Sequence, residues 1–337
     1  MSDFTRCLIT GATGFVGSHL ARRLVAEGKD VHILIRATSS LAAIQDIAGH
    51  LTIHRMGSAN ASAKVYATNA ATAPATACVT EAITKANPDV VFHLAAMFRA
   101  EHAPEDIAPM IEANVTFTTQ LLEGMMQTGA KTLINTGTSW QHYPQHYQKA
   151  SYDPVCLYAA TKQAAEDIIT FYCNAHGFRA IKLKLFDTYG PGDTRNKLLN
   201  IFKRACESET PIAFSAGEQL IDLVHIDDVI NAYQVAAQQA WQLGNATHEK
   251  YGVNSDDPLL LRDLAERYEA ITSKRLNIAW GGRPYRAREV MQTPTLPRPP
   301  GWAPVITFDA GLSELINPSS PIRDSETMRS ASKVAND

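Results

Sequence analysis

Apolar residues along the first half of the chain fall into two alternating rhythms. Short, nearly unbroken runs occur at residues 7–10, 31–35, 51–56, 90–96, 131–135 and 180–186, as expected of strands covered on both faces. Between them lie longer stretches that read as helices, at residues 18–24, 78–86, 107–128 and 158–176. The third of these spaces Ile107, Met110, Ile111, Val115, Leu121, Leu122 and Met125 along one helical face, and Gly129 and Gly177 stand where the last two helices should stop. Strands alternating with helices of this length predict an α/β fold, a doubly wound parallel sheet of the Rossmann type.

Beyond Asp187 the rhythm changes. Tyr189-Gly190-Pro191-Gly192-Asp193 reads as a turn, residues 197–207 as a helix, and residues 219–229 as a short strand entering a helix. From Asn254 onward prolines and arginines break the pattern into short pieces. The division predicted is a dinucleotide-binding domain over residues 1–186 with about 222–253, and a smaller interleaved C-terminal substrate lobe over 187–221 and 254–317. The polar, aperiodic tail 318–337 is expected to be disordered, and the Ala/Thr-rich stretch 57–80 to be a loop.

Composition narrows the function classes. A chain of 337 residues, 45% hydrophobic, can bury a large core. Its net charge of −3 offers no basic field for nucleic acid, and no apolar run approaches the ~18 residues that span a bilayer. Residues 1–6 run directly into the first strand, so no signal peptide is expected. Five scattered cysteines without metal-ligand spacing suggest reduced thiols, a cytoplasmic location and no metal.

Candidate chemistry begins at Gly11-Ala12-Thr13-Gly14-Phe15-Val16-Gly17, between the first strand and the first helix. Glycines there give a tight turn, a backbone that a pyrophosphate can approach and close helix-on-strand packing, with the phosphates at a helix N-terminus. Gly11, Thr13, Gly14, Phe15, Val16 and Gly17 are therefore candidate cofactor residues, joined by the small pair Ala95 and Ala96 at the end of a later strand. The second strand ends in Arg36, with Ser39 just beyond. A carboxylate usually marks NAD at this place, whereas a guanidinium suits a 2′-phosphate, so NADP(H) is expected over NAD.

Tyr158 and Lys162 stand one helical turn apart, so the ammonium is expected to stabilise phenolate and bring the phenol toward useful acid–base range. Thr138 and Ser139 follow the fifth strand, where a hydroxyl could share a substrate oxygen with Tyr158.

Taken in chain order, these motifs resemble the extended short-chain dehydrogenase/reductase family of nucleotide-sugar epimerases, dehydratases and reductases, over roughly Arg6 to Leu315. The resemblance implies that Thr138, Tyr158 and Lys162 form the catalytic triad, that Lys162 also bonds the nicotinamide ribose, and that Asn114 supports the site. Residues 185–191 would reach from cofactor to substrate, with Asp187 where the family usually has Asn. Dehydratases of the family carry Asp-Glu directly after the catalytic Thr; here Ser139-Trp140 stands there, which argues against water elimination. Arg36 argues against a 4-epimerase, since those hold NAD tightly.

The segments 135–143 and 185–191 look most like the CDP-abequose synthase type of 4-ketoreductase. The implied function is NADPH-dependent reduction of a nucleotide-linked 4-keto-deoxysugar for surface polysaccharide, with an NAD-dependent nucleotide-sugar 4-epimerase as the alternative and a non-catalytic dinucleotide sensor as a third reading. The nucleotide-diphosphate sugar needs an anion site, which the family's arginine–acid element maps onto Arg286 and Glu289. Ser139 and Asp187 would line the substrate side. Ile221 stands where an arginine is common, so Arg195, Lys197 or Arg204 would supply a phosphate contact. Histidines in the loop 142–146 are expected at the surface. Family members often dimerise through the helices at 107–127 and 158–176, so a homodimer is expected.

Overall fold

The computed structural model describes residues 4–57, 72–143 and 151–317. The tail 318–337 and most of the stretch 57–80 lie outside the described residues. Seven strands build one parallel sheet: β1 (Arg6–Thr10), β2 (Asp30–Arg36), β3 (Leu51–Met56), β4 (Val90–His93), β5 (Thr132–Thr138), β6 (Arg179–Leu185) and β11 (Thr247–Val253). Their order is β11-β6-β5-β4-β1-β2-β3, and every pair is parallel. Strand order reverses between β1 and β4, and open sheets of this kind bind ligands outside the carboxyl ends at that switch point.

Helices cover both faces. On one side α1 (Phe15–Ala26) and α7 (Ile226–Gln242) bury Leu20, Leu24, Ile33, Phe92 and Tyr233 in a common cluster. On the other, α2 (Thr72–Ala86), α4 (Phe117–Thr128) and α5 (Leu157–His176) close over Leu8, Ile83, Leu121, Leu133, Ile169 and Phe178. Both faces being covered is why the strands read as apolar runs rather than alternating ones. A third cluster, away from the sheet, joins α6 (Leu198–Glu207), α8 (Leu261–Thr272) and α9 (Phe308–Ile316) through Phe202, Phe214, Leu264, Tyr268, Phe308 and Leu312.

The structure differs from the sequence reading at several places. The strand β11, sequence THEKYGV, is polar along much of its length because it lies at the sheet edge, yet it pairs with β6 over all seven residues. The region after Asn254 holds a twelve-residue helix, α8, whose buried Leu261, Leu264, Ala265 and Tyr268 recur at helical spacing among charged neighbours. The helix expected over 107–128 is present and carries a π-turn at Glu112–Thr116 between α3 (Ile107–Ile111) and α4. Helix α2 starts at Thr72, within the stretch expected to be a loop.

Residues from both ends of the chain meet. Trp302 is buried in the same cluster as α1 and α7, and its Nε1 donates to the carbonyl of Asp228 at 3.0 Å. The Asp228 carboxylate accepts from Val305 N and Ile306 N. Short strands β7 (Asp187–Tyr189) and β10 (Leu223–His225) pair in parallel just beyond the carboxyl end of β6. Among the described residues no helix is long and apolar enough to cross a membrane.

Candidate active site

The glycine turn is shaped by contacts that exclude side chains. Gly11 has φ +76°, and a Cβ on it would lie 2.6 Å from Ala95 N; a Cβ on Gly17 would lie 2.1 Å from the Gly11 carbonyl oxygen. Gly14 N donates to Gly11 O at 3.0 Å, closing the turn ahead of α1. The result is a backbone-lined cradle at a helix N-terminus beside the end of β4, which fits a dinucleotide pyrophosphate. Thr13, Phe15 and Val16 lie in this turn, half-buried, and Ala96 is exposed beside it.

At the end of β2, Arg36 is exposed and its guanidinium has no partner among the described residues. Sequence reasoning missed Arg55 on β3, which donates to the carbonyls of Ala37 (3.1 Å) and Ser39 (3.4 Å) and so braces the loop that follows Arg36. The pairing of Ile35 with Arg55 across β2 and β3 places the two guanidiniums at one edge, a signal visible only once register is known.

Behind the cradle runs a buried chain of hydrogen bonds. Ala95 N donates to Thr10 Oγ1 (3.3 Å), which contacts His93 Nδ1 (2.7 Å). His93 Nε2 meets Thr118 Oγ1 (2.9 Å), which donates to Asn114 O (2.8 Å). Because the Thr118 hydroxyl proton goes to Asn114, His93 donates from Nε2 and accepts at Nδ1, the pattern of a neutral imidazole. Burial, with Lys162 and Lys182 nearby, pushes its pKa from 6.5 down to about 3. The π-turn sets Asn114 so that its amide accepts from Met97 N (2.8 Å) and donates to Met97 O (3.0 Å) and Thr161 Oγ1 (3.0 Å). One side chain thereby ties the loop after β4 to α5.

Tyr158, Thr161 and Lys162 on α5 are all buried. Burial raises the Tyr158 phenol above its ordinary value and lowers the Lys162 ammonium to about 8. The expected acidification of the phenol by the lysine is not seen: loss of hydration disfavours both charged forms and is the leading cause of both shifts. Tyr158 is accordingly a protonated phenol at neutral pH. Thr138 caps a short turn at Ser139–Gln141, its Oγ1 accepting from Trp140 N at 3.3 Å and its N donating to Gln141 Oε1 at 3.2 Å.

A cluster of charges under α5 was not anticipated. Glu166, 2% exposed, pairs with Lys182 (2.9 Å), Lys184 (3.3 Å) and Lys250 (2.9 Å). Those ammonium groups hold its carboxyl far below the usual carboxylate range against the opposing effect of burial. Lys184 Nζ contacts His142 Nε2 (2.8 Å), and His142 Nδ1 contacts Ser151 O (2.8 Å). His142 is therefore buried and not at the surface as expected; residues 144–146 of that loop lie outside the described residues. The alternation of Lys182 and Lys184 within an otherwise apolar strand was the available signal.

On the substrate side the predicted residues divide. The ring of Phe98, 39% exposed, stands edge-on to Tyr158 at 5.0 Å and packs against Trp140 at 5.7 Å. Lys197 Nζ lies 4.7 Å from the Phe98 ring and 3.1 Å from Asp187 Oδ1. Arg286 lies over Trp140 at 5.1 Å and forks onto Glu289 at 2.9 and 2.7 Å. Asp187, Lys197, Arg286 and Glu289 thus gather with Trp140 and Phe98 around the Tyr158 end, and Ser139 is buried in the turn beneath them. Arg195 is directed elsewhere: it pairs with Asp193 (2.8 Å), donates to Thr188 O (2.8 Å) and covers the Phe15 ring at 4.3 Å, on the cofactor side. Arg204, on α6, donates to Asn196 Oδ1 just ahead of that helix. Among the described residues no group of three or more His, Cys, Asp or Glu could hold a metal ion.

The sequence profile of the NAD dependent epimerase/dehydratase family matches residues 7–248. CDP-abequose synthase of Salmonella muenchen is 24% identical over 317 residues, 93% of this chain and 97% of that protein. UDP-glucose 4-epimerase of Mycolicibacterium smegmatis is 28% identical over 237 residues, 68% of this chain and 72% of its own. Among solved structures, UDP-glucose 4-epimerase of Thermotoga maritima with UDP-glucose superimposes with a TM-score of 0.75 at 19% identity, covering 96% and 99% of the two chains. The Thermus thermophilus UDP-glucose 4-epimerase complex with NAD gives 0.74 at 22% identity, covering 93% and 98%. At these identities the structural likeness is one of fold.

Proposed function

Since the chain belongs to the NAD dependent epimerase/dehydratase family of enzymes, we propose that it is a nucleotide-sugar 4-ketoreductase that uses NADPH. The observation that carries this reading is the exposed Arg36 guanidinium at the end of β2, where an NAD site would present a carboxylate. A cation there favours the 2′-phosphate of NADP(H), and a coenzyme exchanged at each turnover suits net reduction better than the recycled hydride of an epimerase. Ser139 and Trp140, in place of the acid pair of a dehydratase, point the same way.

In this reading Gly11, Thr13, Gly14, Phe15, Val16 and Gly17 receive the pyrophosphate, Arg36 and Ser39 the adenosine ribose phosphate, and Ala95 and Ala96 leave room for the dinucleotide. When bound, the dihydronicotinamide supplies a hydride. The chain supplies the rest. Tyr158 donates its phenolic proton to the ketone oxygen as that oxygen becomes an alkoxide, Thr138 holds the same oxygen, and Lys162 orients the nicotinamide ribose. Burial that keeps Tyr158 protonated supports a donor role. Arg286, by exchanging Glu289 for a diphosphate, would clamp the sugar nucleotide, with Glu289 turning to ribose hydroxyls and Lys197 and Asp187 beside the sugar. A homodimer through α3, α4 and α5 is supported by exposed Ile107, Ile111 and Phe171, the last 57% exposed.

The deciding experiment follows NADPH oxidation with CDP-, GDP-, dTDP- and UDP-linked 4-keto-deoxysugars. Oxidation with at least one is the expected result. No oxidation with any of the four, together with NAD retained by the purified protein, would establish the 4-epimerase reading, which the M. smegmatis relative favours. A second measurement isolates the coenzyme. Arg36→Ala should weaken NADPH binding about 10–100-fold, the worth of one or two charge-assisted hydrogen bonds, and leave NADH binding nearly unchanged. Fluorescence titration of both coenzymes reads this, and equal weakening of the two would remove Arg36 from the phosphate site.

A further inference from the structure

We propose that Glu166 is a positioning residue that holds Thr138 and Lys162 in one rigid frame, acting on the first through Gln141 and on the second through Lys182. The inference rests on the assignment of Thr138 and Lys162 as catalytic groups in the preceding reading. Glu166 stands one turn beyond Lys162 and two beyond Tyr158 on α5. Its Oε2 accepts from Gln141 Nε2 and from Lys182 Nζ, both at 2.9 Å. Gln141 is held a second time by Gln163 (2.7 Å), and its Oε1 accepts from Thr138 N (3.2 Å). Lys182 Nζ donates in turn to the Lys162 carbonyl at 2.8 Å. A single carboxylate therefore reaches the turn that carries Thr138 and the backbone that carries Lys162 by one intervening side chain each.

The backbone makes room for this arrangement. A Cβ on Gly137 would lie 2.6 Å from Lys182 Cε and 2.9 Å from Gln141 Oε1, so only glycine admits both linking side chains beside Thr138. Stability alone gives a weak reason for the cluster. A buried ion pair is often matched or exceeded by apolar side chains of similar volume, and α5 already packs on the sheet through Ile169 and Leu133. Fixed hydrogen-bond geometry is what the charges add. Catalysis is steep in such geometry, since a displacement of about 1 Å can cost on the order of 10²-fold in rate.

The test uses Gln141→Leu and Lys182→Met, each of which removes a link and leaves Glu166 at least two lysine partners. Each should lower kcat about 10–100-fold with little change in KM. Gln141→Leu should cost nothing further on a Thr138→Ala background, nor Lys182→Met on a Lys162→Met background, because each acts through the residue already removed. Amide hydrogen exchange gives a reading that needs no substrate: Gln141→Leu should speed exchange at residues 138–141 about tenfold or more and leave α4 unchanged. Failure of every sugar nucleotide to turn over would thus sink the proposed function and leave the exchange result to decide this one. Unchanged exchange, wild-type kcat, or losses that add on the two backgrounds would overturn it.

Discussion

Tyr158→Phe loses turnover by roughly 10²–10⁴-fold, the usual worth of a positioned general acid. The change removes one oxygen and nothing else from a side chain whose ring is fixed by Phe98 against its edge and by the surrounding α5 packing. Coenzyme affinity and KM should therefore stay close to wild type, which assigns the loss to the chemical step. The ordinary pKa of a phenol is 10 and burial raises this one, so the acidic partner of the reaction stays protonated across the neutral range and the rate should not fall between pH 6 and 8 through its ionisation. Steady-state kinetics of NADPH oxidation on the first accepted sugar nucleotide checks both statements. Turnover by the phenylalanine variant within a few-fold of wild type would mean that another group delivers the proton.

Acidification should destabilise the protein through His93, and by a calculable amount. The imidazole is neutral when folded, with a pKa pushed down to about 3, and ordinary when unfolded, near 6.5. Below pH 6.5 the unfolded chain binds a proton that the folded chain does not, so stability falls as pH falls, by about 1.4 kcal/mol per unit. At pH 5 the loss from this one residue is about 2 kcal/mol, and it depends only on the folded pKa lying below 5. His93→Gln removes the titration. The difference in urea unfolding free energy between pH 7.5 and pH 5 should therefore be about 2 kcal/mol smaller in the variant, since other titrating groups contribute to both proteins alike. Equal differences would show that Thr10 and Thr118 accommodate the charged ring.

The parallel sheet and the cofactor turn were legible because their signals are local. A glycine whose Cβ would strike neighbouring backbone, Ala95 N for Gly11 and the Gly11 carbonyl for Gly17, leaves a spacing that survives in one dimension. Tyr158 and Lys162 share a helix, so their neighbourhood follows from the period alone. The ionisation of that pair was not legible, because it depends on how completely Phe98, Trp140 and the Thr138 turn close around it. The Glu166 cluster was hidden for a related reason: its lysines come from β6 and β11, and β11 was not read as a strand. Arg195 illustrates the converse. Its charge suggested a phosphate, whereas Asp193, two residues away, takes it up. The π-turn at Glu112–Thr116 shifts the phase of the helix by about one residue, which is why Ile107 and Ile111 face outward though they continue the stripe of Leu121 and Met125.

The late return of β11 and Trp302 to the first half of the fold has a consequence for biosynthesis. A ribosome delivers residues 1–185 long before residues 247–253, so the edge of β6 waits unpaired, and the α1 face waits for α7 and the indole of Trp302. Nascent chains of this protein should be recognised by chaperones until Trp302 has emerged, because the order of translation and the order of core completion are not the same.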